Sequence, residues 1–342
     1  MRQYGPLIAV LLVVLGIEIG LIGADLSKAK EARRVAMSQP ILVAGTLSLG
    51  GGGEAPVAET SPVPAPIPTT PAIVSEVKSK PKVLDGPLVL PVRAWLAVYV
   101  SPQGERRVLT GHNETKVYPI ASLSKLITAI VVREQIDPGM TLTLDHELEV
   151  IEPGGTASST TWTVAAGDLL FPLLIESNNN AATALASVLG PKEDFIAKMN
   201  ETAKKLGMTS THFINPHGLD PTDDVTPNEA SAADLERLAE AYFRDYPALL
   251  GITKQEQFAL WSLDGEVIRR FTNTNRLLDS NNWPAEVLGG KTGYTDLADR
   301  NLLLVLRDKK SGGIIYTVVL GTNNHFAATS DLLDWVYYNY KF

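Results

Sequence analysis

The chain has 342 residues, of which 45% are hydrophobic and 20% charged, and its formal net charge is −8 at pH 7. This length supports one large globular domain with additional segments, and the negative charge argues against a nucleic-acid-binding protein. Because the sequence contains no cysteine, disulfide frameworks, thiol catalysis and cysteine-ligated metal sites are excluded.

The first 85 residues are predicted to lie outside the globular part of the protein. Residues 7–24 are almost wholly apolar and hold one charged residue, Glu18. This pattern indicates export, through either a cleaved signal peptide or a retained membrane anchor at residues 1–24. A buried core helix fits less well, because a low-complexity tract follows. Residues 25–85 are predicted to form a juxtamembrane segment and a linker rich in glycine and proline, expected to be disordered from about residue 50 to 85 and to act as a tether.

The globular part is predicted to run over residues 86–342, with strands near its two ends and helices between them. The predicted strands are 94–100, a partner beginning at 106, then 286–289 leading into Lys291, 301–306 and 314–320. The predicted helices are 122–134, 163–176, 181–189, 194–206, 230–242 and 329–340. This order predicts an α+β fold, in which both ends of the domain build one antiparallel sheet and a helical lobe is inserted between them.

The first chemical motif opens the predicted helix 122–134. Ser122 is followed three residues later by Lys125, so the two side chains share a helix face. A serine hydroxyl is a weak nucleophile and needs a base within hydrogen-bond reach. Apolar neighbours and a second cation, Lys291, are expected to lower the pKa of Lys125 so that it can accept this proton. A helix start with a surface lysine is the alternative, since Ser-x-x-Lys recurs at three other places.

The second motif, Ser177 and Asn179, lies between two predicted helices. The alternating pair in a tight loop directs both side chains the same way. Ser177 is a candidate to relay a proton to a leaving amine, and Asn179 a candidate to orient Lys125 and to bind a substrate carbonyl. The alternative is an ordinary helix cap, a position that serine and asparagine occupy frequently.

The third motif, Lys291, Thr292 and Gly293, is followed by Tyr294 on a predicted strand. Lys291 and Thr292 are suited to bind a carboxylate, and Gly293 leaves room for a substrate strand along this edge. A backbone N–H near Tyr294, together with that of Ser122, is a candidate oxyanion hole. The alternative for this motif is a hairpin turn.

The five histidines do not form a pattern that binds a metal. Three are isolated in the sequence, and the other two, His212 and His217, are separated by Pro216 and cannot share a helix face. A Ser-His-Asp triad would require a context such as Gly-x-Ser-x-Gly, which does not occur. We therefore expect neither a metal nor a cofactor.

Together the motifs make the chain resemble the serine D-alanyl-D-alanine carboxypeptidases, the low-molecular-mass penicillin-binding proteins, over about residues 90–342. The resemblance rests on the segments 119–129, 168–179, 211–219, 271–278 and 290–295. It implies a β-lactamase/DD-peptidase-like fold for a catalytic domain at residues 86–342.

The resemblance also implies the chemistry. Ser122 is the nucleophile that becomes an acyl ester, Lys125 accepts its proton, and Ser177 and Asn179 form the second catalytic motif. The implied substrate-binding residues are Lys291, Thr292, Gly293 and Tyr294. The implied partners are peptidoglycan stem peptides, cleaved at D-Ala-D-Ala, and β-lactams as inhibitors. The implied location is the cell envelope, with the N-terminal segment contacting the membrane and with no nucleic-acid partner.

Three positions depart from the usual pattern of the family. Asn180 replaces an aspartate, Asp299 replaces a small residue, and His325 stands where an arginine often helps to hold the terminal carboxylate. The last departure leaves open an endopeptidase that acts on cross-bridges. A serine β-lactamase is disfavoured because no Glu-x-x-Asn element lies between the second and third motifs. A non-catalytic module that binds the cell wall is disfavoured by the intact motifs.

Overall fold

The computed structural model describes residues 86–145, 161–222 and 226–342. The segments proposed above for residues 1–24 and 25–85 lie outside these residues. Of the helices that can be described, none combines the length and the apolar composition that crossing a bilayer requires.

Within the described residues the chain forms eleven strands and seven α-helices. The strands are β1 (Ala94–Val100), β2 (Arg106–His112), β3 (Val117–Pro119), β4 (Thr141–Asp145), β5 (Thr161–Ala165), β6 (Glu229–Ser231), β7 (Gln257–Trp261), β8 (Val267–Thr272), β9 (Ala285–Thr295), β10 (Asp299–Asp308) and β11 (Ile314–Thr322). The helices are α1 (Ser124–Gln135), α2 (Leu170–Ile175), α3 (Asn179–Ser187), α4 (Lys192–Lys205), α5 (Ala232–Arg244), α6 (Pro247–Lys254) and α7 (His325–Asn339). Short 3₁₀ turns at Ala121–Leu123 and Ala166–Leu169 precede α1 and α2.

The central sheet has five strands in the order β2-β1-β11-β10-β9, and each described pair is antiparallel. The N-terminal strand β1 pairs with β11 from Ala94↔Leu320 to Val100↔Ile314. The prediction that both ends of the domain build one sheet is therefore confirmed. β9 is an edge strand of this sheet, and no strand among the described residues pairs with its outer side.

The middle strand β11 is buried along its whole length, because helices cover both faces of the sheet. Alternate residues face different cores. Val318 and Leu320 pack into the large core with the helical lobe, whereas Ile315 and Val319 pack towards α7.

The helical lobe is built around α1, which is buried from Ser124 to Val132. A helix that is buried on nearly all sides needs neighbours around it, and α2, α3 and α4 supply them. The sheet and this lobe give the α+β architecture that the sequence predicts.

Three predicted helices begin too early, and one of them, 122–134, begins only at Ser124 as α1. Residues 163–165 of the predicted helix 163–176 belong to β5, because Trp162 and Val164 alternate with threonines and pair with β4. The predicted helix 230–242 is preceded by β6, and Ser231 caps α5 by accepting from the Asp234 N–H. The strands β3, β4, β7 and β8 and the helix α6 were not predicted.

Candidate active site

Ser122 lies on the 3₁₀ turn, two residues before the first residue of α1, and not in the first turn of the helix as predicted. The buried side chains of Ile120 and Leu123 anchor this turn on either side of Ser122. Ser124 Oγ donates to the Ala121 carbonyl (2.7 Å), and Ala121 adopts a positive φ of 48°. A non-glycine residue in this region is strained, so the surrounding packing must hold the turn in place.

Lys125 is fully buried, and its amine lies 2.7 Å from Ser122 Oγ. The same Nζ donates to Asn179 Oδ1 (2.8 Å) and to the His217 carbonyl. Burial, and then the charge of Lys291, lowers the pKa of Lys125 well below its ordinary value. The amine is therefore held against the serine hydroxyl in an environment that favours its neutral, proton-accepting form.

The second motif lies at the start of α3. Ser177 has a positive φ of 70°, and its buried Oγ has no hydrogen-bond partner among the described residues. The cap of α3 is Asn178, whose Oδ1 accepts from the Ala181 N–H (2.9 Å). Asn178 is therefore the helix cap, which was the alternative role for Ser177 and Asn179. Those two residues do not cap α3 and face the region around Ser122.

Removal of this cap should destabilise the protein moderately. We expect Asn178→Ala to lower the free energy of unfolding by about 1 kcal/mol, because the Ala181 N–H loses its acceptor at the start of α3. Urea unfolding would measure this change. Asn178→Ser retains a capping oxygen and serves as the control, so equal destabilisation by both variants would contradict a capping role.

Lys291, Thr292 and Gly293 lie on the edge strand β9. Lys291 is 1% exposed, and burial lowers its pKa to about 7. Thr292 Oγ1 lies 2.6 Å from Thr274 Oγ1. A Cβ at Gly293 would lie 2.9 Å from the Ile120 carbonyl oxygen, so a glycine is needed there because β9 passes close to the backbone of the nucleophile turn.

A cleft of about 700 Å³ brings these parts together. Its lining includes six of the eight predicted site residues: Ser122, Ser177, Asn179, Thr292, Gly293 and Tyr294. The other two, Lys125 and Lys291, are buried. Three segments that are far apart in sequence therefore converge as the motifs predict.

The sequence motifs missed several residues that contact this centre. The Pro216 carbonyl accepts from Thr128 on α1 (2.6 Å), and the next carbonyl, that of His217, accepts from Lys125. Asp220 then accepts from Thr295 Oγ1 (2.7 Å) at the end of β9. Pro216, His217 and Asp220 fall in or next to segment 211–219. The resemblance of this segment to the family was the signal in the sequence that pointed to them.

Other missed residues line the cleft, among them Thr274, Arg276 and Arg300; His325, which departs from the family pattern, lines it as well. No short motif contains them, although two lie in segment 271–278. Over the described ranges, no three acidic or histidine side chains are grouped closely enough to hold a metal ion.

Comparison with known proteins identifies the family. The profile of the D-alanyl-D-alanine carboxypeptidases, peptidase family S11, matches residues 90–324. The chain is 32% identical over 240 residues to a D-alanyl-D-alanine endopeptidase of Escherichia coli, a match that covers 67% of this chain and 73% of that protein.

Two solved structures are also similar. One is a D-alanyl-D-alanine carboxypeptidase from Mycobacterium tuberculosis, with a TM-score of 0.61, 26% identity, and coverage of 75% of this chain and 95% of that chain. The other is penicillin-binding protein D2 of Listeria monocytogenes in its ampicillin-bound form, with a TM-score of 0.60, 29% identity, and coverage of 75% and 100%.

The profile match spans more than half of the chain and includes all three motifs. The fold of the described residues agrees with it, because the matched structures are penicillin-binding proteins and DD-peptidases. The chain therefore belongs to the D-alanyl-D-alanine carboxypeptidase family of serine hydrolases.

Proposed function

We propose that this protein is a serine-type D-Ala-D-Ala carboxypeptidase that trims peptidoglycan stem peptides through an acyl-enzyme on Ser122. The observation that carries this proposal is the contact of 2.7 Å between Ser122 Oγ and the buried amine of Lys125. A serine with a depressed-pKa lysine as its base is one of the recognised arrangements for acyl transfer.

In the acylation step, the neutral Lys125 amine accepts the hydroxyl proton as Ser122 Oγ attacks the carbonyl of the D-Ala-D-Ala amide. Asn179 and the His217 carbonyl hold the amine in position through their hydrogen bonds to Nζ. The nearby Lys291 charge disfavours a second ammonium group, which keeps part of the Lys125 population neutral.

The negative oxygen that develops on the substrate carbonyl is stabilised by the backbone N–H groups of Ser122 and Tyr294. Such a donor is worth about 3–4 kcal/mol of barrier in measured cases. The close approach of Gly293 to the nucleophile turn supports this assignment. Ser177, whose hydroxyl has no partner among the described residues, passes a proton to the leaving amine.

The second half of the reaction regenerates the free enzyme. The terminal D-alanine leaves, and water then attacks the ester carbonyl of acylated Ser122 to release the shortened peptide. β-Lactams acylate the same serine, as the ampicillin-bound relative from Listeria monocytogenes supports. Lys291 and Thr292 contribute to binding the substrate along the free edge of β9.

An endopeptidase is a second candidate, because His325 stands where the family often has an arginine for the terminal carboxylate. The relative from Escherichia coli that bears the name endopeptidase supports this candidate as well. Such an enzyme would use the same acylation chemistry and differ only in the amine that leaves.

Peptidoglycan processing implies a location in the cell envelope. We further propose that residues 1–24 export the protein and anchor it, and that residues 25–85 form the tether. The support is the apolar run and the composition rich in glycine and proline.

Fluorescent penicillin tests the assignment of Ser122. The wild type should be labelled covalently, whereas Ser122→Ala should not, because alanine offers no oxygen for the acyl ester. Ser101→Ala, at a half-buried serine that follows β1 and whose Oγ accepts from the Glu105 N–H, is the matched control and should be labelled normally. Equal labelling of wild type and Ser122→Ala would remove Ser122 from the mechanism.

Mass spectrometry of products from defined muropeptides separates the remaining functions. Loss of one D-alanine from a pentapeptide identifies a carboxypeptidase, and conversion of a cross-linked dimer to monomers identifies an endopeptidase. Rapid turnover of a chromogenic β-lactam without either product would identify a β-lactamase.

A further inference from the structure

The turn between β9 and β10 is held from two sides by charged side chains. It comprises residues 296–298 and begins two residues after Tyr294. The Leu297 N–H donates to Asp220 Oδ2 (3.0 Å), and the Leu297 carbonyl accepts from Arg93 Nη1 (2.9 Å). Both backbone groups of Leu297 are therefore anchored, although the residue is 49% exposed.

Arg93 makes a second contact at the end of the same turn, an ion pair with Asp299. Its Nη2 donates to the carboxylate of Asp299, which is the first residue of β10. Asp299 has a positive φ of 55°, a conformation that aspartate tolerates better than most other non-glycine residues. Position 299 is one at which the chain departs from its family, and a small residue there would offer no carboxylate. One guanidinium group thus binds a carbonyl and a carboxylate together, because its planar fork presents several donors.

The side chain of Arg93 reaches this turn across the end of β11. Arg93 directly precedes β1, its N–H donates to the Leu320 and Gly321 carbonyls (2.9 and 3.1 Å), and its own carbonyl accepts from Asn113 Nδ2 (2.9 Å). A Cβ at Gly321 would lie 2.4 Å from Arg93 Cγ and Cδ, so the aliphatic part of the side chain packs directly on the Gly321 backbone. The guanidinium group is therefore presented to the turn from a fixed backbone position.

Gly321 is also connected to the turn that carries the nucleophile. The Gly321 N–H donates to Oδ1 of Asn301 (2.8 Å), a fully buried residue on β10 whose Nδ2 donates to the Pro119 carbonyl (3.3 Å). Pro119 lies three residues before Ser122. The segments that carry the N–H groups of Ser122 and Tyr294 are therefore both connected to the same region at the end of β11.

These contacts are better suited to alignment than to stability. The side chains of Arg93 and Asp299 are 36% and 38% exposed, and exposed ion pairs usually contribute little to the free energy of unfolding. The position of a hydrogen-bond donor matters more for catalysis, since a misplacement of about 1 Å can cost about a hundredfold in rate. Loss of this ion pair should therefore affect the reaction more than folding.

We propose that Arg93 and Asp299 are positioning residues that hold the β9–β10 turn so that the Tyr294 N–H stays aligned with the Ser122 N–H on the developing oxyanion. This inference rests on the proposed function, in which these two N–H groups form the oxyanion hole. Neither Arg93 nor Asp299 lines the cleft, so both act through the backbone of the turn and without contact to the substrate.

Arg93→Gln and Asp299→Asn each remove the ion pair and test this assignment. Asparagine also tolerates a positive φ, so Asp299→Asn removes the charge without straining the turn. Each variant should lower the acylation rate constant at saturating penicillin about tenfold, which is less than the loss of a whole oxyanion donor costs. The penicillin concentration for half-maximal acylation should change less than about twofold, because the contact acts on the transition state.

Three further variants define the interaction. Arg93→Gln/Asp299→Asn should be no slower than Arg93→Gln, because both substitutions remove the same ion pair. Arg93→Lys keeps the charge without the planar fork and should recover part of the rate. Lys254→Gln is the matched control and should acylate at the wild-type rate. Lys254 forms a similarly exposed ion pair (43% and 45%) with Glu286 near the other end of β9, outside the cleft lining.

The infrared carbonyl band of the acyl ester on Ser122 gives a readout that a merely structural role would not move. The band of the penicilloyl-enzyme should lie at a higher frequency in Arg93→Gln and Asp299→Asn than in the wild type, because weaker hydrogen bonds from the oxyanion hole polarise the carbonyl less. The melting temperature of both variants should fall by no more than about 3 °C.

An unchanged carbonyl band in both single variants would overturn the proposal, even where acylation is slower. Acylation of both variants at the wild-type rate would overturn it as well. In either case, a wild type that is acylated on Ser122 leaves the proposed function standing. A wild type that penicillin does not acylate would instead remove the proposed function, and this inference with it.

Discussion

Replacement of Lys125 by methionine is expected to slow the acylation of Ser122 by about 10²- to 10⁴-fold, the usual contribution of a general base. The reason is geometric, since the Lys125 amine is 2.7 Å from Ser122 Oγ and methionine offers no proton acceptor of comparable strength. The rate of labelling by fluorescent penicillin, measured in a time course, gives this factor directly.

The same variant should remain folded. Lys125 is fully buried, and methionine fills a similar volume with an apolar side chain, so the free energy of unfolding should change little. Lys116→Met, at an exposed lysine before β3, is the control for loss of a lysine as such. Normal acylation by folded Lys125→Met would exclude Lys125 as the base, and failure to fold would show that Lys125 has a structural role instead.

The pH dependence of the wild type should reflect this lysine. Its neutral form is the one that accepts a proton, so the acylation rate rises as pH increases through the pKa of Lys125. Because burial and Lys291 lower that pKa, the rise should be complete well below the ordinary lysine range.

Gly218→Ala is expected to give the second large effect, a loss of both stability and acylation. Gly218 has a φ of +82°, and a Cβ there would lie 2.0 Å from the Ala121 carbonyl oxygen and 3.0 Å from the Ser122 nitrogen. The backbone cannot accept this contact without moving the turn that carries the nucleophile. We expect destabilisation of about 3 kcal/mol or more, from overpacking added to backbone strain.

Gly104→Ala is the matched control, because Gly104 has a similar φ of +87° but no atom within 4 Å of the Cβ position. Gly104→Ala should cost only the free energy of placing an alanine in the left-handed backbone region, about 1 kcal/mol. Thermal unfolding and the rate of penicillin acylation should therefore separate the two variants. If Gly218→Ala matched Gly104→Ala in both measurements, the close packing of Gly218 on the nucleophile turn would be refuted.

Much of the fold could be predicted because local patterns and the global architecture agree. The strand Ala94–Val100 has the predicted bounds, since β-branched and aromatic residues fill a short apolar run before a turn. The start of α2 was mispredicted because the residues from Thr163 to Val164 and the apolar residues after them fit one helical pattern. Only the pairing of β5 with β4 shows that the first of these residues belong to a strand. Such pairing depends on contacts that no local pattern contains.

The candidate site likewise contains some residues that local sequence patterns predict and others that only the folded chain reveals. Ser122 and Lys125 are three residues apart, so helical spacing alone brings them close. The His217 carbonyl that also holds the Lys125 amine is a backbone group, and a side-chain motif cannot reveal it. Arg276 lies in a turn after β8 and Arg300 on β10, and only the folded chain brings both of them to the cleft.

The segment from Pro216 to Asp220 contacts two parts of the molecule that perform different tasks. Two of its carbonyls accept hydrogen bonds from α1, one of them from the Lys125 amine, while the Asp220 carboxylate holds the end of β9 through Thr295. These five consecutive residues thus connect the proton acceptor, Lys125, with the strand that borders the cleft, β9. Because this segment is hydrogen-bonded to both parts, we expect a ligand that displaces the end of β9 to shift the Lys125 amine as well.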